Sequence, residues 1–541
     1  MRLTEEERST LLDVAHSLVE PSDLSALCAY GSKVAGYARA DSDYDVIVVP
    51  RRFREGVRYK YVDSPVPCSA LIVGEHLLKE DAAASYLGEF VAGRFLNVYE
   101  PITNPELFRS VELAYKRRVI MEALLELSSD YAEFGPHLIA PYDYFLFQKL
   151  NRRAAVYPPA LYSYVQTYSC SLGDENRRIS LEGFAAAAQS LVPKGLLIVG
   201  PQGIRLAPEK IRGDAFTKVQ SIFSLTTRGV TQYAVHGYAG RVGLSVFRRE
   251  AQSKLKRMRE NPPPLPELER PRSLLKLEEG KVISDSSLLT TELARLLGFA
   301  SFTTEEKDIG EVYSTTKVLT FRDETREVSV VVKNYSDVRS LKWALLGIWA
   351  SAAKRFNMAP MARLEREYAM SARLRKVGAL VPVILAVAPD ERTVVKEFVS
   401  GPTLASLIDG FLKGTGGDLE PVSGYGTLIG KIHAAEMALG DAKASNVVVS
   451  KDGLYLTDLE QALPRGDTAW DVAEFLYYTS KLSIREDAMR RVAEAFLRGY
   501  SETGDRAIVA KARNLKYFLP FQPFLTPGMG RMLRDSMGEF S

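Results

Sequence analysis

Between residues 328 and 458 a lysine, a glutamate, an aspartate, an asparagine and a second aspartate follow one another, each at a position fixed by secondary-structure signals. That order restricts the folds open to the chain more than any other feature. Residues 328–333 are a β-branched apolar run that reads as a strand ending in Lys333. Residues 364–374 have helical periodicity and carry Glu367. Residues 394–401 (VVKEFVSG) read as a strand running into a glycine. A helix bearing Ile429, Ile432 and His433 leads to Leu439-Gly440-Asp441-Ala442-Lys443-Ala444-Ser445-Asn446. Two short apolar runs, 447–449 and 454–456, then flank an Asp452-Gly453 turn of hairpin composition and deliver Asp458 at the strand end.

Phosphoryl transfer from ATP calls for a cation on the phosphates, an acid to hold that cation, metal ligands and a carboxylate beside the acceptor hydroxyl. In that chemistry Lys333 contacts the phosphates and Glu367 pairs with it. Asp441 orients and deprotonates the acceptor, Lys443 neutralises the transferring phosphate, and Asn446 and Asp458 bind Mg2+ or Mn2+. Residues 394–401 resemble the kinase hinge that offers backbone groups to adenine, a resemblance that implies contacts around Glu397 and Val399. His433 is read as a packing and hydrogen-bonding residue, because this chemistry assigns the base role to the aspartate.

The Asp-x-Lys-x-x-Asn run, with Asp441 five residues before Asn446, has the protein-kinase catalytic-loop spacing. Thr457-Asp458-Leu459-Glu460-Gln461-Ala462 departs from the usual Asp-Phe-Gly and resembles the metal-binding loop of RIO-type atypical kinases. Arg363, Glu367, Gly378 and Val381-Pro382 resemble the helix and turn of the KEOPS-complex kinase. The resemblance implies a bilobal RIO-type domain over residues 270–541. Asp471 opens the next helix only thirteen residues after Asp458, which leaves no room for a long activation segment to dock a protein substrate. The nucleotide-covering loop departs from the family pattern, since Asp308-Ile309-Gly310-Glu311-Val312 keeps the single glycine Gly310, and Leu439 stands where histidine is usual.

Gly31-Ser32, then Gly36, Asp41, Ser42, Asp43 and Asp45, resembles the signature of DNA-polymerase-β-like nucleotidyltransferases. The turn lets backbone amides approach a triphosphate, and Asp43 and Asp45, two apart on a strand, point to one face where they can share metal. That family uses a third carboxylate on a later strand. The strand at residues 67–73 has none near Ser69, and Asp63 and Glu75 only flank it. The expectation is a domain over residues 1–104 that binds nucleotide or nucleic acid without catalysis.

Residues 105–210 are expected to be a long linking helix, three short helices (142–154, 159–168 and 180–191) and a hairpin, the order of a winged helix. Residues 211–269 form a basic helical segment and a proline-rich linker. Between Arg205 and Arg259 there are twelve basic residues against three acidic ones, although the whole chain carries a formal charge of only +3. Arg248, Arg249, Lys254, Lys256, Arg257 and Arg259 are the candidate RNA contacts.

The overall expectation is a multidomain α+β protein. The arrangement is similar to archaeal RNA kinases related to the KEOPS kinase, which implies ATP-dependent phosphorylation of a ribose 2′-hydroxyl of a uridine in the tRNA core. A RIO-like protein Ser/Thr kinase, or nucleotidyl transfer to RNA or protein by the first domain, is the alternative. The three scattered cysteines suggest neither zinc site nor disulfide framework. No stretch has the ~18 uncharged apolar residues of a membrane span, and glutamates at 5–7 interrupt any signal-peptide pattern. A cytoplasmic protein without membrane partners is the expectation.

Overall fold

The computed structural model describes residues 2–53, 56–206, 265–309, 315–335 and 359–541. It is a mixed α/β structure whose chain divides into two compact units, residues 1–130 with 135–278 and residues 131–134 with 279–541. Among the described residues no helix is long and apolar enough to cross a membrane.

In the first unit, helix α1 (Glu5–Leu18) starts in a capping box in which Thr4 and Glu7 satisfy each other's backbone N–H. It is followed by strand β1 (Leu24–Tyr30), the single turn α2 (Ser32–Ala35), β2 (Tyr44–Pro50), β3 (Val57–Val62), β4 (Cys68–Val73), helix α3 (Glu75–Ala84) and β5 (Glu100–Thr103). The sheet order is β3-β4-β2-β1-β5, with β2 and β4 parallel and the other neighbours antiparallel. Because side chains alternate along a strand, Leu27, Ala29, Val46, Val48, Ala70 and Ile72 form one face and pack with Leu11 and Val14 of α1. Asp45, Tyr30 and Ser69 share the other face, since Asp45 is in register with Tyr30 on β1 and with Ser69 on β4.

The 27-residue helix α4 (Pro105–Tyr131) comes next, then α5 (Tyr142–Val156), α6 (Ala160–Ser169), α7 (Gly173–Gln189) and the hairpin β6 (Leu197–Gly200) and β7 (Gly203–Leu206). Helix α7 begins seven residues earlier than its apolar periodicity indicates. Asp174 and Glu175 in its first turn complement the helix dipole. Its buried Asn176 donates to the carbonyls of Ala35 and Thr167 at 2.9 and 2.7 Å, so polar groups rather than an apolar stripe fix this end.

A buried ion cluster joins the segment after α3 to helices α4 and α5. Glu89 pairs with Arg118 at 2.8 Å, Lys149 at 2.6 Å and Arg153 at 3.5 Å. Burial alone would raise the Glu89 carboxyl, but Lys149, Arg118 and Arg153 hold it well below the usual range.

The second unit opens with a six-stranded sheet of order β8-β12-β13-β11-β10-β9. Its strands are β8 (Lys281–Val282), β9 (Thr303–Asp308), β10 (Thr315–Arg322), β11 (Glu327–Asn334), β12 (Ile384–Ala388) and β13 (Thr393–Glu397), accompanied by α8 (Leu289–Leu296) and α9 (Pro360–Lys376). After β13 the chain is mainly helical. Helices α10 (Leu404–Lys413) and α11 (Glu420–Ala434) precede four short strands, β14 (Met437–Ala438), β15 (Val447–Ser450), β16 (Gly453–Leu456) and β17 (Leu463–Pro464), which pair β14 with β17 and β15 with β16. Then come α12 (Thr468–Thr479), α13 (Glu486–Thr503), α14 (Arg506–Ala512) and α15 (Pro527–Glu539). The core of this part includes Tyr425 of α11, Phe475 of α12 and Phe496 of α13, the two phenylalanine rings stacked with centroids 4.2 Å apart. Burying each such ring contributes roughly 1.5–3 kcal/mol, which fixes three helices around the loops they carry.

Glu89→Ala leaves three buried cations around an empty position and is expected to cost the first unit about 3–5 kcal/mol at neutral pH, measured by urea-dependent hydrogen exchange of α5. The folded carboxyl lies below its unfolded value, so its contribution is present above the ordinary glutamate pKa of 4.5 and is lost as pH falls through the folded value. The deficit of the variant should therefore shrink on acidification below that point.

Candidate functional site

Lys333 ends the apolar centre of β11, and antiparallel pairing with β10 and β13 on either side holds its backbone. Its side chain is buried, where an unpaired ammonium is costly. Three carboxylates converge on it: Glu367 Oε2 of α9 at 3.0 Å, Asp458 Oδ1 at 2.9 Å and Glu460 Oε2 at 3.0 Å. Burial alone would lower the Lys333 pKa, and Asp458 and Glu367 overcome this and carry it well above its usual value. Those three acids are close enough together to form a cation site, and the Lys333 ammonium already lies in contact with all of them.

The acids are themselves tied down. Glu367 also accepts from Tyr335 Oη at 2.8 Å and from Lys396 of β13, a buried lysine that donates as well to the carbonyl of Thr457 at 2.7 Å. Burial would raise the Glu367 carboxyl, but Lys333 and Lys396 lower it. Arg363, one turn before Glu367, grips Glu460 through both carboxylate oxygens at 2.8 and 2.9 Å. For Asp458 burial again acts upward, and Lys333 outweighs it, holding the carboxyl at about 2.

The second part of the site is the loop between β14 and β15. Lys443 Nζ lies 2.6 Å from Asp441 Oδ1, and Asn446 Nδ2 donates to Asp441 Oδ2 at 3.1 Å and to its carbonyl at 3.0 Å. Burial would lower the Lys443 pKa, but Asp441 raises it above the ordinary lysine value. The Asn446 carbonyl accepts from Thr457 N at 3.0 Å and Thr457 Oγ1 at 3.1 Å, which fixes the loop beside the segment carrying Asp458.

The loop is held from beneath by α12. Asp471, fully buried in the first turn of that helix, accepts from the backbone N–H groups of Leu439 at 2.6 Å and Gly440 at 2.7 Å. One turn on, Glu474 accepts from Ala442 N at 2.9 Å, and Tyr425 Oη of α11 donates to the Ala442 carbonyl at 3.2 Å. His433 is buried, with its ring nitrogens 2.9 Å from Tyr500 Oη and 3.1 Å from Asp471 Oδ2. The segment from Asp458 to α12 is short and includes β17, which is paired to β14.

The strand β13 ends at Glu397, whose N–H donates to Val383 O at 2.9 Å. Val399 follows in irregular backbone, and Gly401 closes the segment with φ +154°, where a Cβ would lie 2.2 Å from the Val449 carbonyl oxygen. Glycine therefore lets this stretch run against β15.

In the first unit Gly31 has φ +80° and ends β1 so tightly against β2 that a Cβ would lie 2.2 Å from Asp45 Oδ2. Ser32 begins α2 directly after it. Ser69 occupies the strand position beside Asp45, and its hydroxyl donates to Asp43 Oδ2 at 2.6 Å. Neither flanking acid is at that position. Asp63 is exposed in the loop before β4, and Glu75, past the far end of β4, is engaged by Ser25 at 2.9 Å and Lys79 at 2.7 Å.

Gly310 and the basic residues Arg248, Arg249, Lys254, Lys256, Arg257 and Arg259 lie outside the described residues. Sequence reasoning passed over Lys396, Tyr335 and Glu474 as site residues, and named Glu460 in the loop resemblance without giving it a role. Of these, Lys396 had a signal, a lysine inside an otherwise apolar strand. No protein-family model and no curated protein matches this chain.

Asp471→Ala removes the acceptor for two buried N–H groups and a histidine. It should destabilise the second unit by about 3 kcal/mol or more. Loss of hydrogen-exchange protection at Leu439 and Gly440 before any other amides of the unit is the expected signature.

Proposed function

We propose that this chain is an ATP-dependent phosphotransferase and that its acceptor is a ribose 2′-hydroxyl of tRNA. The observation that carries the reading is the single constellation in which a strand lysine is paired to a helix glutamate and to a strand-end aspartate, Asp458, whose loop is hydrogen-bonded to the segment carrying Asp441 and Asn446. The sheet of β8–β13 and the helical part that follows it correspond, on this reading, to the two lobes of a RIO-type kinase.

The residues suit a magnesium nucleotide. Asn446 directs its amide nitrogen to Asp441, which leaves its amide oxygen for a metal, and Asp458 is an ionised carboxylate, so the donor set is the hard oxygen that Mg2+ prefers. Bound magnesium would supply charge neutralisation on the phosphates. Lys333 is a rigidly held cation for those phosphates. Backbone groups at Glu397 and Val399 are the adenine contacts, with the Glu397 N–H already used by Val383. Asp441 takes the proton of the attacking hydroxyl, and Lys443 beside it offers positive charge to the phosphate in transfer.

Two features favour RNA over a protein acceptor. The short link from Asp458 to α12 leaves little backbone to serve as a peptide platform. The sequence between Arg205 and Arg259 is strongly basic, as suits a polyanion. The first unit fits the same reading as an RNA- or nucleotide-binding domain of nucleotidyltransferase type without catalysis, because Ser69 rather than a carboxylate stands beside Asp43 and Asp45. Its helices α5–α7 and the β6–β7 hairpin fit a winged helix.

Incubating the protein with γ-labelled ATP, magnesium, a tRNA mixture and protein acceptors tests this. Label should enter RNA at a nucleotide whose 3′ linkage resists alkali, because the 2′-hydroxyl that alkaline cleavage needs is blocked. Asp441→Ala should lower the rate by about 10²–10⁴. Label confined to protein would overturn the assignment of substrate.

A further inference from the structure

The C-terminal end of the second unit contains a cavity of about 350 Å³ lined by Lys511, Arg513 and Asn514 at the end of α14 and by Arg534 and Asp535 of α15. Three cations thus meet one carboxylate. Lys511 is partly compensated by Asp467, 3.1 Å away. Among the described residues, neither Arg513 nor Arg534 has an ion pair.

Arginines without counter-charge are common on surfaces, where water solvates them. Arg534 is only partly exposed, and Arg513, although exposed, is packed close against α15. Arg534 has its guanidinium against the ring of Phe518, 5.4 Å from the centroid, and its Nε is buried with no hydrogen-bond partner. The Arg513 guanidinium lies over Gly538 of α15, where a Cβ would come within 3.1 Å of Cζ. Tyr477 Oη of α12 is likewise buried and unpartnered, and it feels the positive field of both arginines. Two guanidinium groups and an ammonium that share one cavity with the single carboxylate of Asp535 make a site that wants an anion with several acceptor oxygens. The planar fork of arginine matches a phosphate in that way. Exposed Arg506 on α14 and Arg531 on α15 extend the positive surface along the same two helices, which favours a chain of phosphates over one isolated ion.

We propose that this cavity binds the phosphodiester backbone of RNA. The inference rests on the RNA reading above and gives it a location within the second unit. Helix α14, whose end lines the cavity, packs against α12, whose first turn carries Asp471, so α12 ties the cavity to the loop of Asp441. A backbone gripped there is held at a fixed distance from the reacting hydroxyl.

Fluorescence anisotropy of the full protein with labelled tRNA over a range of salt concentrations is the test. Arg513→Glu, an exposed change that spares the core, and the double variant Arg513→Ala with Arg534→Ala should both weaken binding across all tRNA sequences. Removing one arginine–phosphate interaction should reduce the slope of log affinity against log salt by about 1. Arg513→Lys should keep most of the slope, and ATP affinity should stay unchanged in every variant. Native-like affinity and slope in Arg513→Glu and the double variant, or no binding of RNA by the native protein, would overturn the proposal. The outcomes separate it from the reading it rests on. Label entering RNA with an unchanged slope removes the cavity alone, whereas a reduced slope with label only in protein removes the acceptor assignment and keeps the cavity.

Discussion

The ammonium group of Lys333 is the charge on which the second unit is organised. It lies in a buried position at the end of a central strand, and three carboxylates from two segments, Glu367 of α9 and Asp458 with Glu460 of one loop, meet it within 3.0 Å. Removing any one of them would leave charge uncompensated in low dielectric, where the cost of desolvation is no longer returned. The balance extends outward, because Lys396 shares Glu367 and Arg363 shares Glu460. Lys333, Lys396 and Arg363 thereby face Glu367, Asp458 and Glu460, and sheet, helix α9 and the Asp458 loop are locked into one neutral cluster. On the proposed reading, phosphates entering such a site would compete with Asp458 and Glu460 for the same ammonium, which would couple nucleotide binding to rearrangement of that loop.

Rigidity on the other side of the site comes from backbone hydrogen bonds to buried acids. Asp471 and Glu474 are one turn apart on α12 and together accept the N–H groups of Leu439, Gly440 and Ala442. The loop of Asp441 is set by a helix, and that helix is set by the stacked rings of Phe475 and Phe496. Packing in the core is transmitted in two steps to the position of Asp441.

Much of this is legible in the sequence for a physical reason. Strands β2, β11 and β13 are apolar runs with a charged residue at a defined end, and the β15–β16 hairpin has the turn that Asp452-Gly453 specifies, so elements and their charged ends can be read together. The Lys333–Glu367 pair follows from one strand and one helix. What cannot be read are partnerships set only by tertiary folding. Arg363 and Glu460 are 97 residues apart; each belongs to a recognisable motif, but nothing in the sequence pairs one with the other. Asp471 reads as a helix-opening acid, and its role as anchor depends on which loop the fold brings to that helix end. The start of α7 escapes apolar periodicity because buried Asn176 and an acidic first turn define it. In the first unit the register of β2 with β4 turns an absence in the sequence into a geometry, with the Ser69 hydroxyl on Asp43 where a third carboxylate would stand.

The central claim is that nucleotide and metal are handled by the second unit through Lys333 and Asp458. Calorimetric titration of the full protein with ATP, with and without magnesium, tests it most directly when the native protein is compared with Asp458→Asn and Asp43→Asn. The account predicts magnesium-dependent binding that Asp458→Asn weakens at least about tenfold, ~1.4 kcal/mol, and that Asp43→Asn leaves unchanged. Magnesium-dependent binding that survives Asp458→Asn and disappears in Asp43→Asn would contradict it.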